Sequence, residues 1–216
     1  MKKILAFIIA IIMVCSIASA MAEDFTIHAG TKFGDTIDEV KEKETLRFFE
    51  KSVDFYNSKY SELVFHGEVA GFEDASIYYY LNTKSKVFDV RYEMMNTYSV
   101  TNAEYNKGYR KLYQMLKDKY GTPLDKDSKV YILFQGHYAS NVIKESKKNP
   151  RGGSITDLVS WTAPYDKYIV KIDLYTRELF NGSKLCNIEY YKYTKKELKK
   201  RTEEYENTLK KQSDDL

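Results

Sequence analysis

A threonine stands three residues before a glutamate at Thr36 and Glu39, at Thr101 and Glu104, and at Thr194 and Glu197. Each pair reads as a capping box, in which the threonine oxygen accepts an otherwise free amide and the glutamate reaches back to the cap's own N–H. Such pairs dictate where helices start, so they divide the chain before any other feature is considered. Behind the first, Ile37 and Val40 supply the buried side of a short helix. Behind the second, Tyr105, Tyr109, Leu112, Leu116 and Tyr120 make one apolar stripe, with Gly121 as C-cap and Pro123 preventing continuation. Behind the third, the apolar positions are only Leu198, Tyr205 and Leu209, which predicts a highly exposed terminal helix. Leu46, Phe49, Val53, Tyr56 and Tyr60 recur at near-helical spacing and predict one further helix.

Between these starts the pattern turns to period two. Strands are expected over 62–70, 75–81 and 86–95, with turn chemistry at Gly71 and at 82–85. After the long helix, strands are expected over 129–135, 158–162, 168–175 and 184–193, and residues 25–33 form a short extended lead-in. The segment SKVFDVRY at 85–92 returns as SKLCNIEY at 183–190, 98 positions later. Thr36 lies 49 residues before Ser85, and Thr101 lies 82 before Ser183. The excess in the second half fits a polar insertion near 138–157 that includes the run KESKKNPRGG at 144–153.

The expected fold is therefore α+β: two related units, each with a helix or helices packed on an antiparallel β-sheet, plus a C-terminal helix. The expected boundaries are 1–22 for a signal peptide, 23–98 for the first unit, 99–194 for the second and 195–216 for the last helix. Lys2 and Lys3 followed by an apolar run from Ile4 form the front of that signal peptide. Cleavage is expected after Ala20 or Ala22, and the run is too short for a membrane span. Ile12-Met13-Val14 before Cys15 does not make a lipidation site. Removal of 1–22 takes two lysines from 34 basic residues and leaves 32 against 31 acidic ones. That near-neutral balance argues against a nucleic-acid partner. It leaves Cys186 as the one cysteine, so no internal disulfide is expected.

GTKFGDTIDEV at 30–40 resembles the glycine, "GMT" and acidic-valine helix start of SmpA/OmlA (BamE-type) envelope lipoproteins. Val87-Phe88-Asp89-Val90 and Leu185-Cys186-Asn187-Ile188 match that family's "L-x-x-I" strand pattern. Tyr120-Gly121-Thr122-Pro123 is similar to its helix-ending glycine-proline. Tandem helix-plus-sheet units also resemble the β-lactamase inhibitory protein architecture. The chain departs from the first family in lacking a lipidated cysteine, in carrying Asp35-Thr36 for methionine-threonine, and in its insertion. The resemblance implies an exported, non-enzymatic role and transfers no binding residues.

His28, His66 and His137 have no close pair, so neither a metal site nor a cofactor is expected. Cys186 alternates with Ile188 and Tyr190 as Phe88 does with Val90 and Tyr92, which predicts a buried, inert thiol. Gly152-Gly153 lacks the context of a phosphate loop, and scattered carboxylates such as Glu73, Asp74 and Asp166 read as solvated turns. In the run IYYYL at 77–81, Ile77, Tyr79 and Leu81 share one face and leave Tyr78 and Tyr80 on the other. Those two, with Trp161 and Tyr165 from the second half, are the candidate partner-binding residues, forming either an open surface or an interface between the units. The expected function is a non-enzymatic module binding a protein or cell-envelope component. A carbohydrate- or peptidoglycan-binding module and a cell-wall hydrolase are the alternatives.

Overall fold

The computed structural model describes residues 27–53, 60–98, 100–125, 128, 154–165, 168–179 and 181–214. In chain order these form α1 (Ile37–Lys43), β1 (Arg47–Val53), β2 (Ser61–Val69), β3 (Phe72–Leu81), β4 (Val87–Asn96), α2 (Asn102–Tyr120), β5 (Ser154–Tyr165), β6 (Tyr168–Glu178), β7 (Lys184–Thr194) and α3 (Lys195–Asp214). The molecule is α+β, with the strands in one antiparallel sheet of order β1-β2-β3-β4-β7-β6-β5. The segments 23–98 and 99–194 thus contribute to the same sheet, joined where β4 pairs with β7. Among the described residues no helix is long and apolar enough to cross a membrane.

All three threonine–glutamate pairs cap helices. Thr36 N–H and Thr101 N–H donate to Glu39 and Glu104 at 2.7 and 2.8 Å, and Thr194 N–H donates to Glu197 at 2.7 Å. Gly121 ends α2 with φ 80°, a left-handed value that glycine adopts without Cβ strain. The β2–β3 hairpin turns on Ala70 and Gly71, both at positive φ, as a tight two-residue hairpin requires.

Two expectations of backbone conformation fail. The helix expected from Leu46 onward is instead the edge strand β1, paired antiparallel to β2. Its apolar spacing suits a helix, but pairing with β2 satisfies the backbone while a bulge between Phe48 and Glu50 redirects the side chains. Phe48 then meets Phe65 edge-on and Phe49 meets His66. The lead-in is not extended from Ile27 onward. Ile27 N–H donates to Thr31 carbonyl and Thr31 N–H to His28 carbonyl, closing a turn over Ala29 and Gly30 at positive φ. The strand expected at 129–135 and most of the insertion lie outside the described residues; the end of the insertion, Ser154 to Asp157, begins β5.

The first face of the sheet is apolar and carries α1 and α2. Leu63, Phe65, Ile77, Tyr79, Val90, Tyr92, Ile172, Leu174 and Ile188 are buried in one cluster with Val40, Tyr105, Leu112 and Leu116 of the helices. Burying each such side chain contributes roughly 1.5–3 kcal/mol before entropy is counted. Gly108 lets α2 approach closely, since a Cβ there would collide with Met95 and crowd Phe72. Cys186 belongs to this core, as its spacing predicts. Phe88 does not. A bulge between the Tyr80–Asp89 and Leu81–Val87 pairs makes Phe88 the extra residue, and it packs with Tyr191 in a smaller cluster.

That smaller cluster lies on the second face, where α3 docks. Leu198 packs beside Tyr191, Tyr193 and Ile169, and the Arg201 guanidinium lies 5.2 Å from the Tyr193 ring. The outward positions of α3 are exposed, in line with its thin apolar stripe.

Candidate functional site

The four sequence candidates do not form one exposed surface. Trp161 is 1 % exposed. It lies on the first face beneath α2, tilted against Tyr113 and donating its indole N–H to the Gly121 carbonyl at 2.9 Å. A tryptophan placed this way clamps the end of α2 to the sheet. Tyr165 shares its face, half-buried, edge-on to Phe33 and stacked with Tyr168. Tyr78 and Tyr80 lie on the second face, as their alternation predicts, but Tyr80 is only 4 % exposed and Tyr78 is half-buried. Of the two alternatives, an open surface or an interface, the open surface does not hold for Tyr80 and Trp161, which are buried. The pleat decides which face a residue joins; what covers that face is decided elsewhere in the chain.

Between Tyr78 and Tyr80 lies Arg91, its guanidinium 4.4 and 5.4 Å from their ring centroids. Arg91 belongs to a row of directly paired residues that crosses six strands: Val64, Tyr78, Arg91, Glu189, Asp173 and Ser160. Except for Tyr78, every member is buried. Ser160 donates to Asp173 Oδ1 at 2.5 Å, and Lys171 Nζ lies 2.6 Å from Asp173 Oδ2. Tyr175 donates to Glu189 Oε2 at 3.1 Å. Asp89 lies diagonally beside Glu189, one pleat along β4.

Burial dominates the electrostatics of this row. It raises the Asp89 carboxyl well above the ordinary aspartate range, the neighbouring Glu189 charge adds to the shift, and Arg91 opposes it. Burial likewise raises Glu189, assisted by Asp173 and opposed by Arg91, Lys171 and the Tyr175 hydroxyl. Glu93 is also raised by burial, with Arg91, Arg177 and His66 pulling the other way. Burial thus favours the neutral form of Asp89, Glu189 and Glu93. The sequence signal was present as polar residues at alternate strand positions: Asp89 and Arg91, Asn187 and Glu189, Lys171 and Asp173. Such alternation ordinarily marks a wetted face.

A second constellation joins α1 to the sheet. The buried Glu44 carboxylate receives Tyr79 Oη–H at 2.6 Å and the Thr45 and Leu46 N–H groups at 2.8 and 3.1 Å, while His28 Nδ1 lies 2.9 Å away. Burial pushes the Glu44 carboxyl up, but hydrogen bonds from His28, Tyr79 and Leu46 outweigh it and hold the group below its ordinary value.

The most exposed aromatic pair lies on the outer strand. Phe48 and Phe49 of β1 are 40 and 55 % exposed. Arg47, Glu50 and Lys51 around them are exposed too, and Lys41 Nζ sits 4.3 Å from the Phe48 ring. Among the described residues, no group of three or more His, Cys, Asp or Glu side chains is arranged to hold a metal ion. No family model matches the chain, and comparison with curated proteins and with solved structures finds no similar protein.

Proposed function

We propose that this chain is an exported, non-enzymatic binding module whose partner is a protein of the cell envelope, docked along β1. The observation that carries the reading is an edge strand presenting Phe48 and Phe49 together at a bulge. An edge strand offers unpaired backbone groups to an added strand, and exposed aromatics anchor such additions. Lys41, Arg47 and Lys51 favour an extended partner segment that combines apolar with acidic side chains. A photo-crosslinking residue at position 49, compared with one at Gln114 on the outer side of α2, tests this in the cell that makes the protein. A discrete crosslink to one envelope protein from position 49 alone is expected. Equal labelling from both positions, or none from 49, would reject it. The hydrolase reading draws on Asp89, Asp173 and Glu189 coming from both halves of the chain, but at 4–6 % exposure these carboxyls are out of a polymer's reach.

We infer further that the sheet derives from two copies of one helix-and-sheet unit, related as the SmpA/OmlA-like and inhibitory-protein-like resemblances imply. Support comes from the strand order, which is palindromic about β4 and β7 once β1 is set aside. The 98-residue offset also carries Arg91 onto Glu189, its direct partner across the seam, as a two-fold axis through that pair requires. Counting outward through the registers, Tyr80 then corresponds to Tyr175 and Phe65 to Trp161. The β4 bulge makes Val87, paired with Leu81, the counterpart of Cys186, paired with Thr176. Cross-strand NOEs that place β4 and β7 in a register shifted by one residue would remove this support.

A further inference from the structure

We propose that Asp89 and Glu189 form a binding site for a single proton, shared between the two carboxyls across the β4–β7 seam, and that this proton holds the two halves of the sheet together. The proposal stands apart from the docking edge on β1 and rests on the arrangement of charges on the second face.

Lys171 and Asp173 compensate each other at 2.6 Å. Glu93 is served by Arg177 and His66 as well as by Arg91. Among the described residues, the three buried carboxyls Asp89, Asp173 and Glu189 then face two cations, Lys171 held by Asp173 and Arg91 directly opposite Glu189 and one pleat from Asp89. An uncompensated carboxylate at this depth is strongly disfavoured, so the pair retains a proton. Asp89 supplies an independent sign. Its Oδ1 is buried and accepts no hydrogen bond among the described residues. An orphan oxygen is costly on a carboxylate and much less so as the carbonyl oxygen of a neutral acid that donates its proton to Glu189.

The surroundings leave little alternative compensation. From β3, Tyr78 and Tyr80 face Arg91. From β6, Lys171, Asp173 and Tyr175 face Glu189. From β7, Tyr191 is paired with Asp89, and from α3, Glu197 and Arg201 act on Tyr191. Ser160 of β5 is committed to Asp173. When the shared proton leaves, two adjacent negative charges confront one guanidinium at the joint between the halves, and the seam weakens.

The sign of the pH dependence follows from the direction of the shifts. The folded chain binds this proton more tightly than the unfolded chain, because burial raises both carboxyls and Glu189 is pushed up to about 7, so the stabilisation is complete below the ordinary glutamate value of 4.5 and is lost as pH rises through the pair's raised folded value. Infrared spectra of the native protein and of Glu189→Gln, with urea unfolding of both across that range, test the site. At mildly acidic pH the wild type is expected to show a protonated-carboxyl carbonyl band that disappears above neutrality and is absent from Glu189→Gln. Unfolding of the wild type near pH 6 is expected to release about one proton more than unfolding of the variant. A native protein without a protonated-carboxyl band at mildly acidic pH overturns the proposal even if the variant fails to fold. Equal pH slopes of stability in the two proteins overturn it as well.

Discussion

The Tyr79 hydroxyl donates a 2.6 Å hydrogen bond to Glu44, tying the centre of the sheet to the residue that ends α1. With His28 and two backbone amides on the same carboxylate, this is the most heavily bonded acid described in the chain. Tyr79→Phe should cost about 1.5–3 kcal/mol, the range for a hydrogen bond to a charged group. Because the folded Glu44 carboxyl is held below its ordinary value, its contribution is present above pH 4.5 and is lost as pH falls through the folded value. Urea unfolding of wild type and Glu44→Gln should converge at low pH and diverge above that point; parallel curves would refute the assignment.

The shared proton of Asp89 and Glu189 has the opposite slope. Acid weakens the α1 attachment while alkali weakens the seam, so thermal stability should peak at mildly acidic pH. Asp89→Asn should flatten the alkaline limb and leave the acid limb unchanged. Scanning calorimetry over the whole range measures both limbs at once.

Gly108→Ala should destabilise the protein, although alanine is favoured over glycine in a helix by about 1 kcal/mol. The added Cβ meets Met95 and Phe72, and overpacking of this kind costs about 1–3 kcal/mol. A rise in the unfolding midpoint would show that the core yields more easily than its packing implies.

Cys186 should resist thiol reagents in the native state and react at once in denaturant. It is fully buried, and burial pushes its thiol up to about 12, so the reactive thiolate is scarce at neutral pH. Trp161, the single tryptophan, reports the same core by fluorescence. Its emission should be blue-shifted and insensitive to an aqueous quencher until the protein unfolds. Fast native labelling of Cys186 or a solvent-like Trp161 emission would contradict the packing of α2.

Replacement of Phe49 by serine should leave the unfolding midpoint within about 0.5 kcal/mol of wild type, since surface changes away from core contacts are usually that small. The same change should abolish partner capture along β1. A large loss of stability would instead make Phe49 part of the fold through its contact with His66.

How much of this was legible depended on distance along the chain. The capping boxes were readable because Thr36, Thr101 and Thr194 each reach a partner only three residues away. The faces of β3 were readable from alternation, and so was the burial of Cys186. The strand character of 47–53 was not, because its choice between helix and sheet was made by β2, which lies across a hairpin from it. Phe88 was placed on the wrong face for a related reason: a one-residue bulge reverses the alternation and leaves no mark in the composition.

The chain alone determined the helix starts, the periods of strands such as β3 and β7, and the α+β class, all of which follow from interactions within a few residues. It also placed Asp89, Arg91, Lys171, Asp173 and Glu189 on alternating strand positions. Only the tertiary structure brought β4 against β7, set Arg91 opposite Glu189 and buried the whole row. A charge's effect depends on which neighbours and how much water surround it, and both are set by strands distant in sequence. That is why Asp89 and Glu189, on strand positions of a kind that ordinarily meets water, are the most strongly perturbed carboxyls described in the protein.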